Sequence, residues 1–162
     1  MLQMIMEMSQ RNAGLLGKMV EDIPDGRMCH QPPGLPNHAM WQVGHVTLAR
    51  SFVARELGAS LQIPQTLPPL FGRGSTPTSD RKSYSSKKDL LDRFNTAQAA
   101  LVEHALKLDP ARLAGEHGIE RLRPLFPTLG HLIVGVALFH DGFHLGQLGN
   151  WRRAMGLPSV IG

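Results

Sequence analysis

The chain has 162 residues, a length that suggests one domain with its own buried core. Apolar residues make up 42% of it and charged residues 19%, as in an ordinary soluble globular protein. The net charge of +4 comes from basic residues that are scattered or paired, so the sequence argues against nucleic-acid binding.

The single cysteine, Cys29, excludes an internal disulfide and is typical of a protein kept in a reducing cytoplasm. No stretch approaches 18 continuous apolar residues, so no membrane span is predicted. The N-terminal segment MLQMIMEMSQR has no leading positive charge and no small-residue cleavage site, and we expect no signal peptide. We therefore expect a cytoplasmic protein.

Apolar residues at helical spacing predict a first helix over residues 2–22, which Pro24 and Gly26 end. A proline-rich loop follows it. Asn37 is then the expected N-cap of a second helix, which runs to about Leu57.

The stretch 59–83 is long, irregular and rich in Pro, Gly, Ser and Thr, as expected of a functional loop or a crossover. A third helix is predicted over 86–108 and a fourth over 127–155. Strand signals are absent from the sequence. The four amphipathic helices predict an all-α fold, a single-domain four-helix bundle with a long crossover connection between helices 2 and 3.

Two histidines four residues apart, His140 and His144, lie on one face of the fourth predicted helix. Imidazoles at this spacing can bind one metal ion at about 2.0–2.1 Å each. Gln147 and Trp151 continue the same face. His45 falls in the apolar stripe of the second helix, where an unpaired buried imidazole is costly. One shared cation would explain all three inward-facing histidines.

Two interpretations of these histidines stay open on periodicity alone. In the first, they hold one ion and leave a fourth position open for water or substrate. In the second, they form a buried polar network with Gln147 and a backbone carbonyl, without an ion. Asp141 provides no acid–base pair by itself, because a residue next to His140 on a regular helix points about 100° away from it.

Other histidines are expected outside this site. Four of them are expected at the surface, namely His30, His38, His104 and His117, and His131 is expected to face away from the proposed site. The sequence shows no Ser-His-Asp or Cys-His arrangement and no H-E-x-x-H pattern, so a zincin-type protease is not supported. Cys29 lies in a predicted loop, and we do not expect it to be a catalytic thiol.

The pattern W-x3-H from Trp41 to His45, together with H-x3-H-x-G-Q-L from His140 to Leu148, resembles the DinB/YfiT-like family. The resemblance covers most of the chain and includes the proline-rich loop before the first histidine. It implies a four-helix bundle with a long crossover and a divalent metal ion, with zinc or nickel expected. By position, the metal ligands it implies are His45, His140 and His144.

Better-understood members of that family are similar to metal-dependent thiol transferases or isomerases that use bacillithiol, mycothiol or glutathione. The resemblance thus implies a small-molecule substrate, a low-molecular-weight thiol and a homodimer. A related hydrolase and a non-catalytic, stress-related metal-binding or dimerisation bundle are the alternatives. Relatives commonly carry a carboxylate about four residues after the first histidine, where this chain has Ala49. Glu56 lies eleven residues after it and cannot be assumed to replace that carboxylate.

A divalent ion at this site would lower the pKa of a bound thiol or water, which suits either a transferase or a hydrolase. Gln147 could orient the bound group or hydrogen-bond a ligand, and a packing role is the other interpretation. Trp41 could line the cavity or belong to the plain core. The sequence identifies no general acid or base, so the catalytic residues stay unassigned.

Overall fold

A computed structural model describes residues 1–160, and all its regular elements are helical. Within that range the α-helices are α1 (Leu2–Glu21), α2 (Ala39–Glu56), α3 (Leu67–Phe71), α4 (Lys87–Ala105), α5 (Pro110–Ala114), α6 (Leu129–Val134) and α7 (Asp141–Ala154). A π-helical segment, Gly135–His140, joins α6 to α7. Short 3-10 turns lie at Asp25–Arg27, Arg81–Ser83 and Glu120–Leu122. The absence of strands from residues 1–160 confirms the predicted all-α class.

The four longest helical segments pack against one another around two buried apolar clusters. In one cluster, Trp151 is fully buried and its indole N–H donates to the carbonyl of His30 at 2.9 Å. The connection from α2 to α4 contains α3 and lies partly against α2. The finer description, a single-domain four-helix bundle with a crossover, stays a prediction. No helix within residues 1–160 is both long and apolar enough to cross a membrane.

The beginning of α2 differs from the prediction. The N-cap is His38 rather than Asn37, because the His38 Nδ1 accepts the backbone N–H of Trp41 at 3.0 Å. Its Nε2–H donates to the carbonyl of Thr78, also at 3.0 Å. With both ring nitrogens in use, His38 is buried and the expectation that it lies at the surface is wrong.

His117 is buried as well, although it was expected at the surface. Its Nε2 donates to the carbonyl of Phe126 at 2.7 Å, and its Nδ1 accepts the backbone N–H of Ile119 at 3.2 Å. A loop histidine that hydrogen-bonds to backbone groups in this way produces no periodic pattern in the sequence, so its burial could not be predicted. His30 is exposed, as predicted, and His131, which was expected to face away from the proposed site, is exposed too.

The predicted fourth helix is correct in extent but not in regularity. The π-helical segment Gly135–His140 interrupts it directly before the histidine pair. Each π turn takes up about one more residue than an α turn, so it rotates the side chains that follow relative to α6. A Cβ on Gly135 would lie 2.2 Å from the Phe126 ring, so glycine permits the close packing at this point.

Candidate metal centre

Three histidines from two helical segments meet in one place. His45 comes from α2, His140 ends the π-helical segment, and His144 lies one turn later in α7. One ring nitrogen of each lies within 4.8 Å of the others, an arrangement that could hold a metal ion. The Nε2 atoms of His45 and His140 are 3.1 Å apart.

The His45 ring is fixed from both sides. Its Nδ1 lies 2.6 Å from the carbonyl of Phe71, and because a carbonyl only accepts, Nδ1 carries the proton and Nε2 keeps its lone pair. Trp41 stacks on the ring at 4.5 Å between centroids, and its indole N–H donates to Ser75 Oγ at 2.8 Å. Trp41 therefore belongs to the core and also forms a wall of the site.

His144 is held by a chain of amide groups. Its Nδ1 donates to Gln42 Oε1 at 2.6 Å, and Gln42 Nε2 donates to Gln147 Oε1 at 2.8 Å. Gln147 thus supports the histidine through Gln42. Gln42 was missed in the sequence, although its position three residues before His45 places it on the same face of α2.

Burial keeps two of these imidazoles neutral. It lowers the pKa of His45, against the opposing effect of the hydrogen bond to Phe71. The pKa of His144 is lowered to about 3, chiefly by burial and also by the neighbouring His140 and His45. Neutral imidazole is the form that ligates a metal ion.

A buried ion pair lies directly beside His140. Arg50 of α2 donates through Nε to Asp141 Oδ2 at 3.1 Å and also through Nη2, and its guanidinium lies 4.4 Å from the centre of the Phe94 ring. Asp141 was predicted to point about 100° away from His140. In the structure its Oδ1 lies 3.9 Å from His140 Nδ1.

Glu56 does not take the place of a carboxylate at position 49, four residues after His45. Ala49 is partly buried and packs against one of the two buried apolar clusters. Glu56 lies about 16 Å along α2 from His45 at 1.5 Å per residue. It accepts the backbone N–H of Gly118 at 2.8 Å and pairs with Arg112.

The sequence pattern that defines the DinB superfamily matches residues 10–148, a range that includes all three histidines. The chain belongs to the DinB superfamily. A comparison with curated proteins found no match. Membership of the DinB superfamily and the cluster of His45, His140 and His144 fit a metal-binding DinB-like protein.

The donor set of this DinB-superfamily site suits a divalent ion. Two nitrogen ligands at about 2.0–2.1 Å from a tetrahedral ion would lie about 3.3 Å apart. The 3.1 Å between the Nε2 atoms of His45 and His140 is close to that distance. Imidazole nitrogen is a common ligand of both zinc and nickel.

Gly44→Ala is expected to weaken divalent-metal binding about tenfold, in the range for loss of a hydrogen bond that supports a ligand. A Cβ on Gly44 would lie 2.2 Å from the Phe71 ring, so Phe71 must shift, and we expect its carbonyl to lose the hydrogen bond to His45. Zinc titration in competition with a chromophoric chelator measures the change. Gly14→Ala is the matched control, because its Cβ would meet nothing within 4 Å. Equal affinities for both variants would contradict the support assigned to Phe71.

Proposed function

We propose that this protein is a divalent-metal-dependent enzyme that joins a low-molecular-weight thiol to a small electrophilic substrate. The observation that carries the proposal is the convergence of His45, His140 and His144 in a chain of the DinB superfamily. The ion expected there is zinc or nickel. A cytoplasmic homodimer is the expected setting, and both parts of that description are proposals.

The protein's part in this reaction is to hold its histidines neutral and correctly oriented. Phe71 and Gln42 accept the outer N–H groups of His45 and His144, so the Nε2 atoms keep their lone pairs. When bound, a divalent ion would supply the Lewis acidity that lowers the pKa of a thiol. In the transfer, the sulfur forms a bond to a substrate carbon, the leaving group departs with its electron pair, and the thiol proton passes to solvent.

The surroundings of the site favour a substrate with an apolar part. The His140 side chain is 24% exposed, so solvent reaches the edge of the cluster. Phe143 lies edge-on to His144 at 5.3 Å between centroids and is itself 56% exposed. Phe139, one turn earlier, is 71% exposed. These rings offer an apolar surface beside the histidines.

A thiol-conjugation assay tests the proposal. Chelator-treated protein is reloaded separately with zinc or nickel and mixed with glutathione, bacillithiol or mycothiol and a panel of chloroarene and epoxide substrates. We expect a conjugate with at least one combination, none with His45→Ala, and unchanged activity with His131→Ala, which alters an exposed histidine outside the cluster. Mass spectrometry detects the product.

The same protein preparations, assayed also with ester substrates, separate the alternatives. Ester hydrolysis without thiol conjugation would favour the hydrolase over the transferase. Tight metal binding without either reaction would contradict catalysis and favour a bundle in which the ion only stabilises the fold, since metal binding adds to folding free energy.

A further inference from the structure

Unsatisfied buried polar atoms concentrate at one point of the molecule. Within residues 1–160, the buried side-chain atoms without a hydrogen-bond partner are Arg50 Nη1, His140 Nδ1 and Asp141 Oδ1. Arg50 and Asp141 are almost completely buried, at 0% and 2% exposure. Such groups are costly to leave unpaired, so their position next to the histidine cluster calls for an explanation.

The carboxylate of Asp141 is engaged on one side only. Arg50 donates twice to Oδ2, while Oδ1 is left 3.9 Å from His140 Nδ1. His140 turns its Nε2 towards His45. When Nε2 serves as a ligand, Nδ1 carries the proton and needs an acceptor.

His140 differs from its two partners in this respect. The outer nitrogen of His45 has the Phe71 carbonyl, and that of His144 has Gln42 Oε1. His140 Nδ1 has no such contact among the described residues, and the Oδ1 of Asp141 is near enough to become one with a small shift or one bridging water.

We infer that Asp141 is a positioning residue for His140, accepting its Nδ1–H so that Nε2 is the ligand atom, and that Arg50 holds the carboxylate in place. The inference rests on the metal-binding part of the proposed function. It assigns the buried pair to the metal centre rather than to folding alone.

A second arginine shows what a purely structural pair looks like in this chain. Arg152 is also buried, yet it pairs with Asp22, whose side chain is 45% exposed. Its remaining donors reach the carbonyls of Met19 and Pro158. The Arg152–Asp22 pair therefore leaves no arginine donor without a hydrogen-bond partner, and it contacts none of the three clustered histidines. This makes it a suitable control.

The test compares zinc affinity in variants of the two pairs. Asp141→Asn and the double variant Arg50→Met with Asp141→Leu are expected to bind zinc about 10–100-fold more weakly than wild type. The double variant removes both charges together and so avoids leaving one buried charge unpaired. The control, Arg152→Met with Asp22→Leu, is expected to keep wild-type affinity even where its thermal midpoint falls.

A second readout is specific to positioning. In zinc-loaded wild type, nitrogen-15 spectra are expected to show a His140 Nδ1–H protected from exchange, and the double variant should lose that protection. A folded double variant that binds zinc within about twofold of wild type would overturn the inference alone, since its effect is expected to reach tenfold. Wild type that binds no zinc or nickel would overturn the proposed function and this inference with it.

Discussion

Replacing His140 or His144 by alanine is expected to abolish stoichiometric metal binding. Each side chain supplies one of the three imidazoles that converge within residues 1–160, so its removal leaves two ligands and a cavity. The loss in affinity should exceed the about 100-fold that removal of a supporting hydrogen bond can cause. Elemental analysis after dialysis and a chelator-competition titration measure the effect.

The matched control for this experiment is His131→Ala. His131 precedes the same pair in the same run of helix but is exposed, and its ring contacts the Thr128 hydroxyl. The His131→Ala protein should keep full metal content. A folded His140→Ala protein that retains full metal content would show that the ligand assignment is wrong.

Lowering the pH from about 6.5 to about 5 is expected to reduce the unfolding free energy of the metal-free protein by about 2 kcal/mol through His144 alone. Burial holds the pKa of His144 at about 3 in the folded chain, against an ordinary value of 6.5. Between these values the unfolded chain binds a proton that the folded chain does not. The contribution of His144 to the unfolding free energy is therefore fully present above pH 6.5, and it decreases as the pH falls towards the folded-state pKa of about 3.

Urea denaturation at the two pH values measures this dependence. The lowered pKa of His45 acts in the same direction, so the full decrease should be larger than the part due to His144. In His144→Asn, which cannot titrate, the decrease should be smaller by about 2 kcal/mol. An unfolding free energy that stays constant or rises as the pH falls would contradict the buried, neutral state of these rings.

Sequence periodicity was sufficient to select the three histidines. His140 and His144 are one turn apart, and His45 interrupts an apolar stripe, so each carries a local signal. In the structure the three rings lie together. Their role as ligands of one ion stays a prediction until a metal is measured.

The hydrogen bonds that hold the histidine rings could not be predicted from sequence periodicity, because they depend on how distant segments pack. The Phe71 carbonyl reaches His45 only because α3 lies against Gly44. The contact between Arg50 and Asp141 joins positions far apart in sequence. The π-helical segment Gly135–His140 also interrupts the regular helical spacing that was assumed for the fourth predicted helix.

A crystal structure of zinc-loaded protein, with diffraction measured on both sides of the zinc absorption edge, tests the three-histidine metal centre most directly. We expect one anomalous peak about 2.0–2.1 Å from a nitrogen of each ring, those of His45, His140 and His144. A peak elsewhere, or none at these rings in protein soaked with zinc, would contradict a metal centre built from the three histidines.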